Sequence, residues 1–160
     1  MKTSAEASAK FTVLKETLNS KGFSVHDIMP VILTDNGGEF SDVFSFENSD
    51  NEKELSLFYC DPMHSSQKAQ IEKNHTLFRD IVPQGSSFDD FSQETVNLIF
   101  SHVNSVKRSM YHGKSAYQMF VFLFSVELAT ALGICEIAPD DVCQSPSLLN
   151  GIVDLSKNKN

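Results

Sequence analysis

Val31-Ile32-Leu33-Thr34-Asp35-Asn36-Gly37-Gly38-Glu39-Phe40 is the stretch on which the reading of this 160-residue chain turns. The run Val-Ile-Leu-Thr after Pro30 is apolar and β-branched, which predicts a short buried strand. Asn-Gly-Gly ends it, because these residues take the backbone angles of tight turns that branched residues resist. Asp35 therefore stands at the carboxyl end of a strand. Open α/β sheets collect ligands beyond those ends, so an acid there is a candidate ligand. Thr-Asp-Asn-Gly-Gly also reads as an ordinary turn, and the residues alone leave both readings open.

Upstream, Phe11, Leu14 and Leu18 recur at three- and four-residue steps, predicting an amphipathic helix over residues 3–21 that stops at Gly22. Downstream, residues 39–46 suit a short helix and 48–54 a polar surface loop. Leu55 to Cys60 predicts a second buried strand, ended by Asp61-Pro62 because proline cannot donate to a ladder. Each predicted strand thus leads into an Asp.

A helix is predicted from Ser66 to Val82, closed by Pro83, and another from the cap Ser92 to about Ser109. Ser115 caps a third, through Leu132, which Gly133 ends. That helix is apolar nearly all round, which predicts burial or pairing. The domain reading is one core over residues 1–132 and a C-terminal tail over 133–160 whose polar end frays.

The formal charge of −8 is an unusual balance for a nucleic-acid enzyme, since phosphate binding needs clustered cations, so any such surface must be local. Three cysteines, Cys60, Cys135 and Cys143, make neither an even disulfide set nor a Cys-x-x-Cys pair. The residues Met1 to Ala5 lack a signal peptide's apolar stretch, and the apolar run Met119 to Ser125 is too short to span a bilayer. The expectation is a soluble, cytoplasmic protein with no membrane partner.

On the helix after Ser66, Lys68, Glu72, His75 and Arg79 follow steps of four, three and four and lie within about 60° of one another on a helical wheel. Ile71, Leu77, Phe78 and Ile81 lie on the other side, and burying them would aim the polar stripe outward. Carboxylates such as Asp35 and Glu72 are hard oxygen donors of the kind Mg²⁺ or Mn²⁺ takes, and a metal pair about 3.5 to 4 Å apart serves phosphoryl transfer. A stripe of Lys, Glu, His and Arg is also what a solvated helix face looks like, held by i, i+4 pairs.

Thr34-Asp35-Asn36-Gly37-Gly38-Glu39-Phe40, Phe58-Tyr59-Cys60-Asp61-Pro62 and Gln67-Lys68-Ala69-Gln70-Ile71-Glu72-Lys73-Asn74-His75 together resemble, in order and spacing, the catalytic core of integrase-like DDE transposases from bacterial insertion sequences. Thirty-six residues lie between Asp35 and Glu72, similar to the interval between the last two acids of that family's triad. The resemblance continues through Pro83 to Phe88, His102 to Arg108 and Gly113 to Tyr117, and so spans roughly residues 31–120.

The resemblance implies an α/β, RNase H-like fold, a five-stranded sheet flanked by helices, held here in incomplete form. Residues 3–21 would be the helix after the third strand, and the two predicted strands the fourth and fifth, with strands one to three absent. It implies Asp35 and Glu72 as the second and third catalytic carboxylates and ligands of Mg²⁺ or Mn²⁺. It further implies DNA, as transposon ends and target, as partner, with Lys68, Asn74, His75 and Arg79 as its contacts.

The chain departs from the family's pattern in three places. The first catalytic Asp belongs to a strand ahead of the first helix, and Asp27, in the connection before Val31, does not substitute for it. Ala69 stands where relatives have Gly, and Ala116 where a Pro is common. With one carboxylate missing, the expectation is a transposase fragment inactive by itself, either a decayed gene or the downstream half of a divided enzyme. The contrasting expectation is a non-catalytic module that self-associates or pairs with a full-length transposase through an open sheet edge.

Other constellations carry less. Cys60, His64 and His75 have zinc-like spacing but lack a fourth ligand. Glu72-Lys73-Asn74-His75 is a single copy of a motif that di-iron bundles need twice. His102, His112 and Cys135 read as packed or surface residues. Asn104, Lys107 and Arg108 read first as a charged helix end.

Overall fold

The computed structural model describes residues 3–61 and 69–152, and the chain divides into two compact units, 1–68 and 69–160. The architecture is mixed α/β with a small sheet. Among the described residues no helix is long and apolar enough to cross a membrane.

The first unit opens with helix α1, Ser4–Ser20, close to the range read from the sequence. Thr3 starts it with a reciprocal cap: its hydroxyl accepts the Glu6 N–H and the Glu6 carboxylate accepts the Thr3 N–H, both at 3.2 Å. The chain turns away at Gly22, whose φ of +78° an L side chain rarely adopts. Leu18 is buried as the periodicity requires, and Phe11 packs on Phe46 with ring centroids 5.3 Å apart. Lys15 is buried too, at 3% exposure. Its ammonium donates to the Asn48 carbonyl at 2.8 Å and pairs with the Glu54 carboxylate at 3.1 Å.

Helix α2, Val25–Ile28, leads into strand β1, Val31–Thr34. After a 3-10 turn at Gly38–Phe40, helix α3 spans Val43–Glu47, so the single short helix expected over 39–46 is two turns of different kinds. The stretch 48–54 is not a plain loop. Strands β2, Asn48–Ser49, and β3, Glu52–Lys53, form a small antiparallel hairpin, with Asp50 and Asn51 at positive φ. These residue types tolerate that conformation best after glycine, which allows the tight turn.

Strand β4, Ser56–Tyr59, pairs parallel with β1 in the register Val31↔Ser56, Ile32↔Leu57, Leu33↔Phe58 and Thr34↔Tyr59. Paired residues share a face. Leu57 and Thr34 are buried on the inner face, but Val31 and Phe58 on the other are 55% and 54% exposed, and Leu33 is exposed as well. The expectation of two fully buried strands is corrected to strands covered on one side. An all-apolar run cannot reveal which of its faces will be covered.

The second unit is helical. Helix α4, Ala69–Ile81, packs on helix α5, Gln93–Ser105, through Ile81, Val82, Ile99 and Val103, with Leu77, Phe78 and Phe91 around them. The side chain of Ile71, expected on the same face, lies outside the described residues. Ser92 caps α5, its hydroxyl accepting the Thr95 N–H at 3.1 Å. The helix ends at Ser105 rather than near Ser109, because Val106 is already extended.

The helix predicted over 115–132 is two helices, α6, Ala116–Leu123, and α7, Val126–Ala131. Phe124 leaves helical geometry, and Ser125 starts a new helix by accepting the Leu128 N–H at 3.0 Å. Because of that break only part of the apolar surface turns inward. Leu128 and Ala129 are buried while Phe122 is 79% exposed, so the stretch is not buried all round within the chain, which corrects the burial half of that expectation. Residues 134–149, read as part of a tail, pack back on the unit and place Leu149 in the α4–α5 core.

Candidate functional site

Asp35 directly follows β1 and is exposed. Parallel pairing makes β1 and β4 leave the sheet at the same end, and the Cys60 N–H extends the ladder by donating to the Thr34 carbonyl at 2.8 Å. Asp35 and Asp61 therefore both follow carboxyl ends on one side of this sheet. The Thr34 hydroxyl lies 3.4 Å from Asp35 Oδ1, a long contact.

The loop after Asp35 is held from two sides. The Tyr59 hydroxyl donates to the Phe40 carbonyl at 2.6 Å. Glu39 folds its carboxylate back against Gly37, so closely that a Cβ at Gly37 would stand 2.6 Å from Glu39 Oε2. A side chain there would displace that carboxylate, which is a physical reason for glycine at this position.

In the second unit, Glu72 lies in the first turn of α4 and is exposed. His75 and Arg79 are exposed on the same helix, and Asn74 is half-buried. The side-chain oxygen of Asn74 is buried and has no hydrogen-bond partner among the described residues. Leu77, Phe78 and Ile81 pack inward, so the polar stripe faces solvent as the periodicity required. Arg79 carries its guanidinium 5.9 Å from the Phe78 ring centroid. Lys68, the fourth member of the stripe, lies outside the described residues, as does His64 of the zinc reading.

The structure thus positions Asp35 within the first unit and Glu72, Asn74, His75 and Arg79 within the second. Among the described residues no group of three or more His, Cys, Asp or Glu forms a metal cluster. The donor chemistry of Asp35 and Glu72 still fits a hard cation, because Mg²⁺ is ordinarily bound by one or two carboxylates together with waters and substrate phosphates.

The later candidates resolve differently. Arg108 is buried, and its Nη2 reaches the Val103 carbonyl at 3.4 Å near the end of α5, a contact that places positive charge at a helix C-terminus. Asn104 lines a small apolar cavity of about 210 Å³ with Tyr117, Phe120 and Leu132. Lys107 is exposed at the turn beyond α5. His102 is packed: its Nδ1 accepts the Cys143 N–H at 3.0 Å, and burial pushes its pKa below the usual imidazole value while Asp141 opposes the shift.

Sequence reasoning missed Lys15 and the serines Ser101 and Ser105, whose hydroxyls accept backbone N–H groups of the segment after Gly133. A signal existed, since Ser101, His102 and Ser105 interrupt the apolar pattern of α5 at positions that share one side of a helix. Polar residues inside an apolar stripe demand partners.

The chain is similar to the transposase for insertion sequence element IS4351 of Bacteroides fragilis, with 26% identity over 84 residues, 52% of this chain and 25% of that protein. It spans about a quarter of that relative's length. No family model matches the chain, and no solved structure does. The likeness supports a relationship to insertion-sequence transposases.

Proposed function

We propose that this chain is part of the catalytic region of an insertion-sequence transposase of the DDE, RNase H-like type, in which Asp35 and Glu72 are two of three metal-binding carboxylates. The observation that carries the reading is the placement of Asp35 at the carboxyl end of a parallel-paired strand in a chain similar to an insertion-sequence transposase. The exposed carboxylate of Glu72, flanked on one helical face by His75 and Arg79, supports it. Asp35 and Glu72 would hold Mg²⁺ or Mn²⁺, which when bound supplies Lewis acidity to an attacking hydroxyl and a leaving oxygen at phosphorus.

The chain's own residues would orient the DNA. Arg79 and Lys68 bring positive charge to phosphates on either side of the Glu72 carboxylate, and Asn74 and His75 offer hydrogen bonds. The chain's formal charge is −8, so such contacts would have to be local, and binding through them would weaken with salt. On this reading Asp35 and Glu72 supply two of the three acids, and strand transfer requires the third as well.

The test is Mn²⁺ titration of the chain beside Asp35→Asn and Glu72→Gln, with circular dichroism verifying that each variant folds. The expected result is at least a tenfold weaker association in each variant. Equal association in all three would remove the metal site and, with it, this assignment.

A second reading is a non-catalytic module that associates with itself or with an intact transposase. The uncovered sheet face of Val31, Leu33 and Phe58 favours it, because contiguous exposed apolar surface marks an interaction site. Sedimentation that finds only monomer up to high concentration, with and without a full-length transposase, would eliminate it.

A further inference from the structure

The segment 134–149 runs back along α5 with little regular structure, and side chains of that one helix hold three of its backbone N–H groups. Cys135 N–H donates to Ser101 Oγ at 3.1 Å, Ile137 N–H to Ser105 Oγ at 2.9 Å, and Cys143 N–H to His102 Nδ1 at 3.0 Å. All three acceptors are buried, His102 at 6% exposure. Ser101 hands its own hydrogen to the Asn97 carbonyl at 2.8 Å. At the far end Leu149 sits among Ile81, Val82, Ile99 and Val103, covering the core that α4 and α5 share.

The serines do not titrate, but the imidazole does. To accept the Cys143 N–H, Nδ1 must offer a lone pair, so the latched ring is neutral with its proton on Nε2. We propose that residues 134–149 form a pH-sensitive strap, latched by the neutral His102 ring on the Cys143 backbone and released at its distal half when that ring takes a second proton. A protonated Nδ1 facing an N–H is donor against donor in a buried setting.

The surroundings favour the neutral form. Burial is the main influence on the ring, and among the described residues Asp141, on the 3-10 turn Pro139–Asp141 of the strap, is the charged group that acts against it. Helix α4 meets α5 through uncharged Leu77, Phe78 and Ile81. On α6, Tyr117 stays a neutral phenol, its pKa raised by burial and by Glu136 and Cys135 of the strap. The Cys143 thiol is turned to the Ser145 and Ser147 hydroxyls, each 3.5 Å away.

Because the latched ring has a lowered pKa and a released ring an ordinary one near 6.5, the closed strap is fully favoured above about pH 6.5. Each pH unit below that lowers the closed-to-open ratio by up to about tenfold, until the pH reaches the latched ring's own pKa. Release withdraws Leu149 from Ile81 and Val82, so the change reaches α4, the helix that bears Glu72, His75 and Arg79. The strap stands whether or not a metal binds at Asp35 and Glu72.

The test is amide hydrogen exchange of the whole chain from pH 7.5 to 5, corrected for intrinsic exchange, with His102→Asn alongside. The carboxamide oxygen that this substitution introduces can accept the same N–H, but the group does not titrate. Below about pH 6.5 protection of the Cys143 amide should fall toward tenfold per pH unit in the wild type and stay level in His102→Asn. Level protection in the wild type, or the same decline in both, overturns the strap. Should the variant not fold, an NMR titration of the wild-type His102 ring decides: Cys143 protection is expected to decline as the pH falls toward the ring's midpoint and to level off below it, and protection that stays level down to that midpoint overturns the strap.

Discussion

The Tyr59 hydroxyl donates a 2.6 Å hydrogen bond to the Phe40 carbonyl, tying the last residue of β4 to the loop that follows Asp35. Thr34 is the register partner of Tyr59, so one tyrosine both pairs with the residue before Asp35 and fixes the far side of the turn. Tyr59→Phe keeps the ring and removes only the donor. It should destabilise the first unit by about 1 kcal/mol, the usual net worth of such a bond. Urea unfolding measures this, and an unchanged midpoint would show that the loop holds without the phenol.

Lys15 and Glu54 form a nearly buried ion pair, with the Asn48 carbonyl as a second acceptor for the ammonium. Lys15→Met leaves the Glu54 carboxylate in place without its cation and should cost about 3 kcal/mol. Lys15→Met with Glu54→Leu should recover most of that loss, since a buried pair replaced by apolar groups is close to neutral. A double variant no more stable than the single one would refute the pairing.

Glu47 accepts the Leu57 N–H at 2.8 Å and meets Lys53 at 3.2 Å, and these bonds, the Leu57 N–H foremost, hold its carboxyl below the usual pKa. A lowered folded-state pKa means that its stabilisation is present above the ordinary value near 4.5 and fades as pH falls through the folded-state pKa. Thermal melts from pH 7 to 3 should show a shallower acid limb in Glu47→Gln than in the wild type. Parallel limbs would count against Glu47 as a contributor.

Leu149 closes the α4–α5 core from a segment that reads as a tail. Leu149→Ala should cost about 3 kcal/mol, as large-to-small changes at fully buried sites do, whereas a fraying tail would lose almost nothing. Denaturant unfolding of the second unit distinguishes the two outcomes.

The elements whose ends carry chemistry were legible because local interactions set them. Thr3 and Ser92 cap their helices through bonds to residues three positions on, and Gly22 stops α1 through its own backbone freedom. The break at Phe124 was not legible: Ser125 competes as a cap inside a stretch whose apolar content suggests continuity. The hairpin at 48–53 was hidden because polar β-residues and loop residues share a composition.

A strand end at Asp35 and a helical period through Glu72 are local properties legible in the sequence, and the resemblance of the surrounding segments to transposase cores is what nominated the two as a pair. Segments of the chain distant along it decided the rest. Which face of β1 and β4 is covered, that Lys15 is buried against Glu54, and that His102 turned its ring to the Cys143 backbone all depend on partners 25 to 41 positions away. Burial and buried hydrogen bonds are properties of the assembled core, and no local pattern encodes them.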